Sequence, residues 1–175
     1  MNHLPVARRL RSLLLPFVVA LVAPFLCVAR FRPFSIRIEL GYPLVQMLVG
    51  ALLCAAGLFL LVVTIRSFSR IGQGTLAPWD PPRHLVIAGP YRYSRNPMIS
   101  GVVTILVGEA VLFGSVWIFL WAVFVLVVNT LYFKLSEERG LVKRFGAEYL
   151  EYRRNVPMWF PRLSAWKPTG ESPRS

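Results

Sequence analysis

Residues 96–133 run for 38 positions with one formal charge, Glu109. No soluble domain of this size readily hides such a segment, and a bilayer crossing needs only about 20 apolar residues. The run is therefore too long for one crossing. Gly114 and Ser115 divide it into two halves near spanning length, which predicts a tight helical hairpin. Two further uncharged runs precede it, residues 12–29 and 40–65. The first follows Arg8, Arg9 and Arg11 and exceeds the apolar core of about 7 to 15 residues found in signal peptides, so it reads as a retained anchor. Because peptide groups in lipid must bond to one another, each crossing should be helical. The expected fold is an all-α integral membrane protein with about four transmembrane helices, crossings 3 and 4 forming the hairpin. Residues 1–175 form a single membrane domain, with an N-terminal two-helix anchor region at 1–66.

The charges orient this scheme. Seventeen of the 20 Lys and Arg residues fall in the N-terminus, the 66–95 segment and the chain from Lys134 onward. Four crossings put these three regions on one side. Only Arg30, Arg32 and Arg37 lie opposite. Basic loops stay inside, so both termini are expected in the cytoplasm. A net charge of +12 could also suit nucleic acid, but the apolar spans favour a bilayer surface instead. Cys27 and Cys54 lie within apolar runs and read as small buried hydrophobes; His3 and His84 are the only histidines, and no metal-ligand spacing is present.

Two polar segments flank the hairpin. The first, GPYRYSRNPM (89–98), runs straight into it. Asn96 and Pro97 suit the N-cap and first position of a helix. Free N–H groups there, with Arg92 and Arg95 beside them, could hold a carboxylate or phosphate. Tyr and Arg at this height could equally serve as interfacial anchors. Upstream, Gly72-Gln73-Gly74 has no third glycine and no preceding strand, which excludes a dinucleotide loop. The second segment begins KLSEERG at Lys134. At 100° per residue, Glu137, Leu141, Phe145, Tyr149 and Tyr152 share one stripe of a helix leaving the fourth crossing, with Glu138 at its edge. Carboxylates on an apolar stripe should cover something cationic, either Arg92 or Arg95 or a ligand. Pro157 and Pro161 end that helix, and Trp159 and Phe160 can return to the interface. Glu109, inside the third crossing, either is functional or bonds to Gln46 or Thr104.

Together, HLVIAGPYRYSRNPMISG (84–101) and EERGLVKRFGAEYLEYRRNVPMWFP (137–161) resemble the integral-membrane methyltransferases that include isoprenylcysteine carboxyl methyltransferases and phospholipid N-methyltransferases. The resemblance covers roughly the chain from Gly72 onward and implies a methyltransferase-like catalytic region at 72–162. It implies S-adenosylmethionine as cofactor, held between a cytoplasmic loop, the start of the third crossing and the C-terminal amphipathic helix. By match, Arg83, His84, Leu85 and Val86 would lie along the adenosine and Tyr91 would line the pocket. Asn96, Pro97, Met98 and Ile99 would hold the methionine part, and Glu137 with Glu138 the cofactor's polar groups. Arg95 joins this set as the cation beside the helix start. Many relatives have His at the position of Asn96 and Tyr at that of Ile99; some carry Arg where Phe133 stands here, next to Lys134. The implied function is methyl transfer to a lipophilic acceptor, a carboxylate or an amine, with Glu109 and Glu137 as candidate bases. Two rivals arise from other classes: a small transporter coupled through Glu109, and a lipid-binding scaffold.

Overall fold

A computed structural model describes residues 42–71 and 84–168, together with Val22, Pro24 and Leu26. Apart from those three residues, the expected crossing at 12–29 lies outside the described residues, as does Arg83. No strand occurs among the described elements. Helix α1 spans Pro43–Ile71. It has proline only at its first position, where no N–H is needed. Its 29 residues measure about 43 Å, longer than the ~30 Å hydrocarbon layer, so its end around Arg66–Ile71 extends beyond any crossing.

The long apolar run folds as the expected hairpin. Helix α2 covers Pro97–Leu112 and helix α3 covers Val116–Tyr132. Gly114 makes the reversal at φ 57°, and Ser115 Oγ accepts from Ile118 N–H at 3.5 Å to cap α3. An L side chain in this left-handed conformation is penalised. Gly114→Ala should therefore lower stability by about 1 kcal/mol, read from thermal unfolding in detergent. The two halves differ in reach. At 16 residues α2 spans about 24 Å, short of a full crossing, because its first turn starts only at Pro97.

Among the described residues, α1 and α2 pack against each other most extensively. Gly50 and Gly57 on α1 face Gly108 and Gly101 on the antiparallel α2. A Cβ on Gly57 would stand 2.7 Å from Gly101 O; one on Gly108 would stand 2.8 Å from Cys54 N. With little hydrophobic force between helices in lipid, such backbone approach gains van der Waals contact instead. Gln46 Nε2 closes one end by donating to Val111 O at 2.7 Å, a carbonyl in the last turn of α2. Val102, Leu106, Ala122 and Val125 join α2 to α3, with Leu61 and Trp121 against them.

Past Tyr132 the helix does not stop. Phe133–Glu137 forms a turn of π-helix, and α4, Glu138–Asn155, follows directly. The expected stripe is present: Tyr149 and Tyr152 are buried with Val156 and Trp166, and Leu141 and Phe145 pack on them. Leu85 and Ile87, from the segment ahead of α2, complete this second core. A kink at Gly146, φ 51°, interrupts α4. Val156 and Pro157 end it as expected.

Candidate functional site

The polar segment ahead of α2 is ordered from three sides. Gly89, at φ 54°, lies against α1, where a Cβ would meet Ser67 Oγ at 2.9 Å. Gly89–Arg92 then forms a 3₁₀ turn. Its Tyr91 ring sits 6.5 Å from that of Phe68 on α1. The Tyr91 carbonyl accepts from Tyr152 Oη at 2.7 Å, which joins the turn to α4. The chain beyond α4 supplies the third side: Arg95 N–H donates to Pro157 O at 2.9 Å and Asn96 N–H to Met158 O at 3.2 Å.

Arg95 is the hub of this junction. Its guanidinium donates to Glu138 Oε1 and, at 3.3 Å, to Tyr149 Oη. Its face lies 5.8 Å from the Phe133 ring centre. The other oxygen of Glu138 takes Arg153 at 3.3 Å. Both Arg95 and Glu138 are nearly buried, at 10% and 12% side-chain exposure, so the pair is poorly screened.

The adjacent carboxylates are thus separated in role. Glu138 is committed to two arginines. Glu137 is exposed at the surface; partial removal from water still pushes its carboxyl above the usual range. Tyr91 lies within electrostatic reach of Glu137. Burial first, and that neighbouring charge second, push its phenol up, so the ring stays neutral.

Asn96 departs from expectation. It stands at the N-cap of α2, but its side chain makes no capping bond. Its Nδ2 and Arg95 Nε are both buried donors without a protein acceptor. Buried donors are nearly always satisfied, so two adjacent exceptions at a helix start mark a place that suits an acceptor.

The structure brings Tyr91, Arg95, Asn96, Pro97, Glu137 and Glu138 to one junction. Pro97 is buried and Met98 and Ile99 are half-buried in the same first turn. Val86 is buried, Leu85 packs in the second core, and His84 is exposed. Glu109 is not part of this group. It lies twelve residues along α2 from Pro97, about 18 Å away, near the Gly114 turn; its Oε2 is buried without a partner. Thr104 donates instead to Ser100 O at 2.7 Å. Sequence reasoning missed Phe68 and Arg153. It also left α1 in an anchor region, although α1 walls the junction. The fully buried Thr64, one turn before Phe68, was a legible signal: a polar residue inside an apolar run.

The profile of the family described as phospholipid methyltransferase matches residues 45–148, from the first turn of α1 to beyond the kink in α4. Over 51 residues the chain is 49% identical to Methanethiol S-methyltransferase 2 of Bradyrhizobium diazoefficiens; the match covers 26% of this chain and 20% of that protein. The chain therefore aligns with only a fifth of the length of this relative.

Proposed function

Since the chain belongs to the phospholipid methyltransferase family, we propose that it is a methyltransferase that moves the methyl group of S-adenosylmethionine to a lipophilic acceptor at the cytoplasmic membrane face. The observation that carries this reading is the junction of Arg95, Asn96, Tyr91 and Glu137 at the start of α2. The residues present fit the cofactor. The orphaned donors Arg95 Nε and Asn96 Nδ2, with the free N–H groups of the first α2 turn, suit its carboxylate. Glu137 suits its ammonium or ribose hydroxyls. The rings of Tyr91 and Phe68 suit a sulfonium or a purine face. By resemblance, Arg83, His84, Leu85 and Val86 would lie along the adenosine, and Pro97, Met98 and Ile99 would complete the turn. Glu138 acts through Arg95, which it fixes in place.

Bound there, the cofactor would supply an electrophilic methyl carbon. The protein's task is then to align the acceptor in a dry site. A carboxylate acceptor loses no proton on attack. An amine or thiol must lose one; Glu137, where it is not taken up by the cofactor's ammonium, is a candidate to accept it, whereas Glu109 is too remote. The name of the similar S-methyltransferase adds a small thiol to the acceptors worth testing. In this reading the 12–29 run, α1 and the two arms of the hairpin make four crossings, the bilayer thinning locally to match the shorter α2, with both termini in the cytoplasm.

Calorimetry on detergent-purified protein tests the cofactor first. Saturable binding of S-adenosylmethionine is expected, and Glu137→Ala should weaken it at least about tenfold, the equivalent of one lost charge-assisted contact. No binding by folded wild-type protein would overturn the reading. A panel of phospholipid amine, prenylcysteine-like carboxylate and alkyl thiol, read by release of S-adenosylhomocysteine, would then assign the acceptor.

A further inference from the structure

We propose that the segment following α4, residues 157–166, is a membrane-contacting lip whose Phe160 and Leu163 insert into the lipid surface beside the site. This rests on the membrane-spanning reading above. The segment has no helix of its own, yet it is firmly held. Besides the bonds to Pro157 and Met158 from the backbone of Arg95 and Asn96, Ser94 Oγ donates to Met158 O at 2.8 Å. Arg162 N–H donates to Tyr93 O at 3.0 Å, and Trp166 N–H to Arg92 O at 3.1 Å.

These bonds fix the height of the segment. Its partners, residues 92–96, lead directly into the first turn of α2, where the apolar hairpin begins. Two residues beyond Met158, Phe160 is 87% exposed, and Leu163 is fully exposed. Trp166, by contrast, is 9% exposed in the second core. A segment that buries one large apolar residue while turning out two others, at the level of a hydrocarbon boundary, is built to meet a second apolar phase. Tyr93, whose carbonyl holds Arg162 N–H, is also partly exposed, a residue type that favours the headgroup layer. Leu131 in the last turn of α3 and Leu135 just past it, at the same end of the hairpin as the start of α2, are also exposed. Exposed apolar residues from both the segment and the hairpin at that one level select lipid as the occupant.

Nitroxide labels test this in liposomes. With Cys27→Ala and Cys54→Ala as background, single labels are placed by Phe160→Cys and Leu163→Cys. Val127→Cys, on the exposed apolar face of α3, and Glu148→Cys, on the exposed face of α4, serve as references. Collision with oxygen, which concentrates in hydrocarbon, is compared with collision with a water-soluble nickel chelate. The oxygen-to-nickel ratio at 160 and 163 should exceed that at 148 severalfold and approach that at 127. Ratios at 160 and 163 equal to that at 148, with 127 in lipid, would overturn the lip and leave the membrane reading standing. A water-like ratio at 127 would overturn both. Shielding from both reagents, with spin–spin broadening lost on dilution by unlabelled protein, would place a second copy there and also overturn the proposal.

Discussion

Arg95→Ala should abolish detectable cofactor binding and destabilise the protein by about 3 kcal/mol, toward the lower end for breaking a buried ion pair because Arg153 still faces Glu138. On the binding side, a lost hydrogen bond to a charged group, worth up to about 3 kcal/mol, corresponds to roughly a hundredfold, enough to take binding out of calorimetric range. One guanidinium serves Glu138, Tyr149 and the Phe133 face at once, so alanine would leave a nearly buried carboxylate half-paired. Arg95→Lys should fall between, since an ammonium keeps the charge but loses the planar fork and the stacking face. Stability and ligation can be separated. The double change Arg95→Met with Glu138→Leu should recover much of the lost unfolding temperature, because an apolar pair removes the desolvation penalty. It should not recover binding. A double variant that binds as wild type does would remove Arg95 from the cofactor site.

The second large effect is expected far from any chemistry. Gly57→Ala and Gly108→Ala should each destabilise by about 3 kcal/mol or more, the upper end for overpacking. Besides the side chains of Ile105 and Cys54, a methyl group would strike backbone, Gly101 O and Ile105 N for one, Cys54 N and Gly50 O for the other. Backbone cannot rotate aside, so the helices would have to separate. Gly140→Ala is the control: nothing lies within 4 Å of its added Cβ, and loss of backbone freedom in the unfolded chain should make it neutral or stabilising by about 0.5–1 kcal/mol. Thermal unfolding in detergent measures all three. Equal midpoints for Gly57→Ala and wild type would contradict the close approach of α1 and α2.

Local pattern made much of this legible. Gly114 announced the hairpin because a reversal needs a positive φ, and the Leu141–Tyr152 stripe announced a buried face because helical spacing is regular. The glycine seam was not legible. Gly50 and Gly57, or Gly101 and Gly108, read singly as costs to a helix; their seven-residue spacing gains meaning only when two helices are known to be antiparallel neighbours. The commitment of Glu138 to Arg95 was one of two readings the sequence allowed. The choice was hidden because helical spacing states which side chains share a face, not which cation another element brings up to them, and Arg95 arrives from the segment ahead of α2. The missing cap bond of Asn96 was equally hidden, because residue type states what a side chain can do at a helix start, not what competes for it.

That π turn works as a phase shifter. One additional residue within a turn rotates everything downstream by about 100° relative to uninterrupted helix. The lipid-facing side of α3 and the aromatic side of α4 are therefore set independently, although they belong to one continuous rod. That Glu138, and not its neighbour Glu137, is locked by arginine depends on that single inserted position. A one-residue deletion between Lys134 and Ser136 would turn α4 about its own axis without altering any residue of the junction. In this architecture a change of register, with no change of chemistry, is enough to re-aim the candidate site.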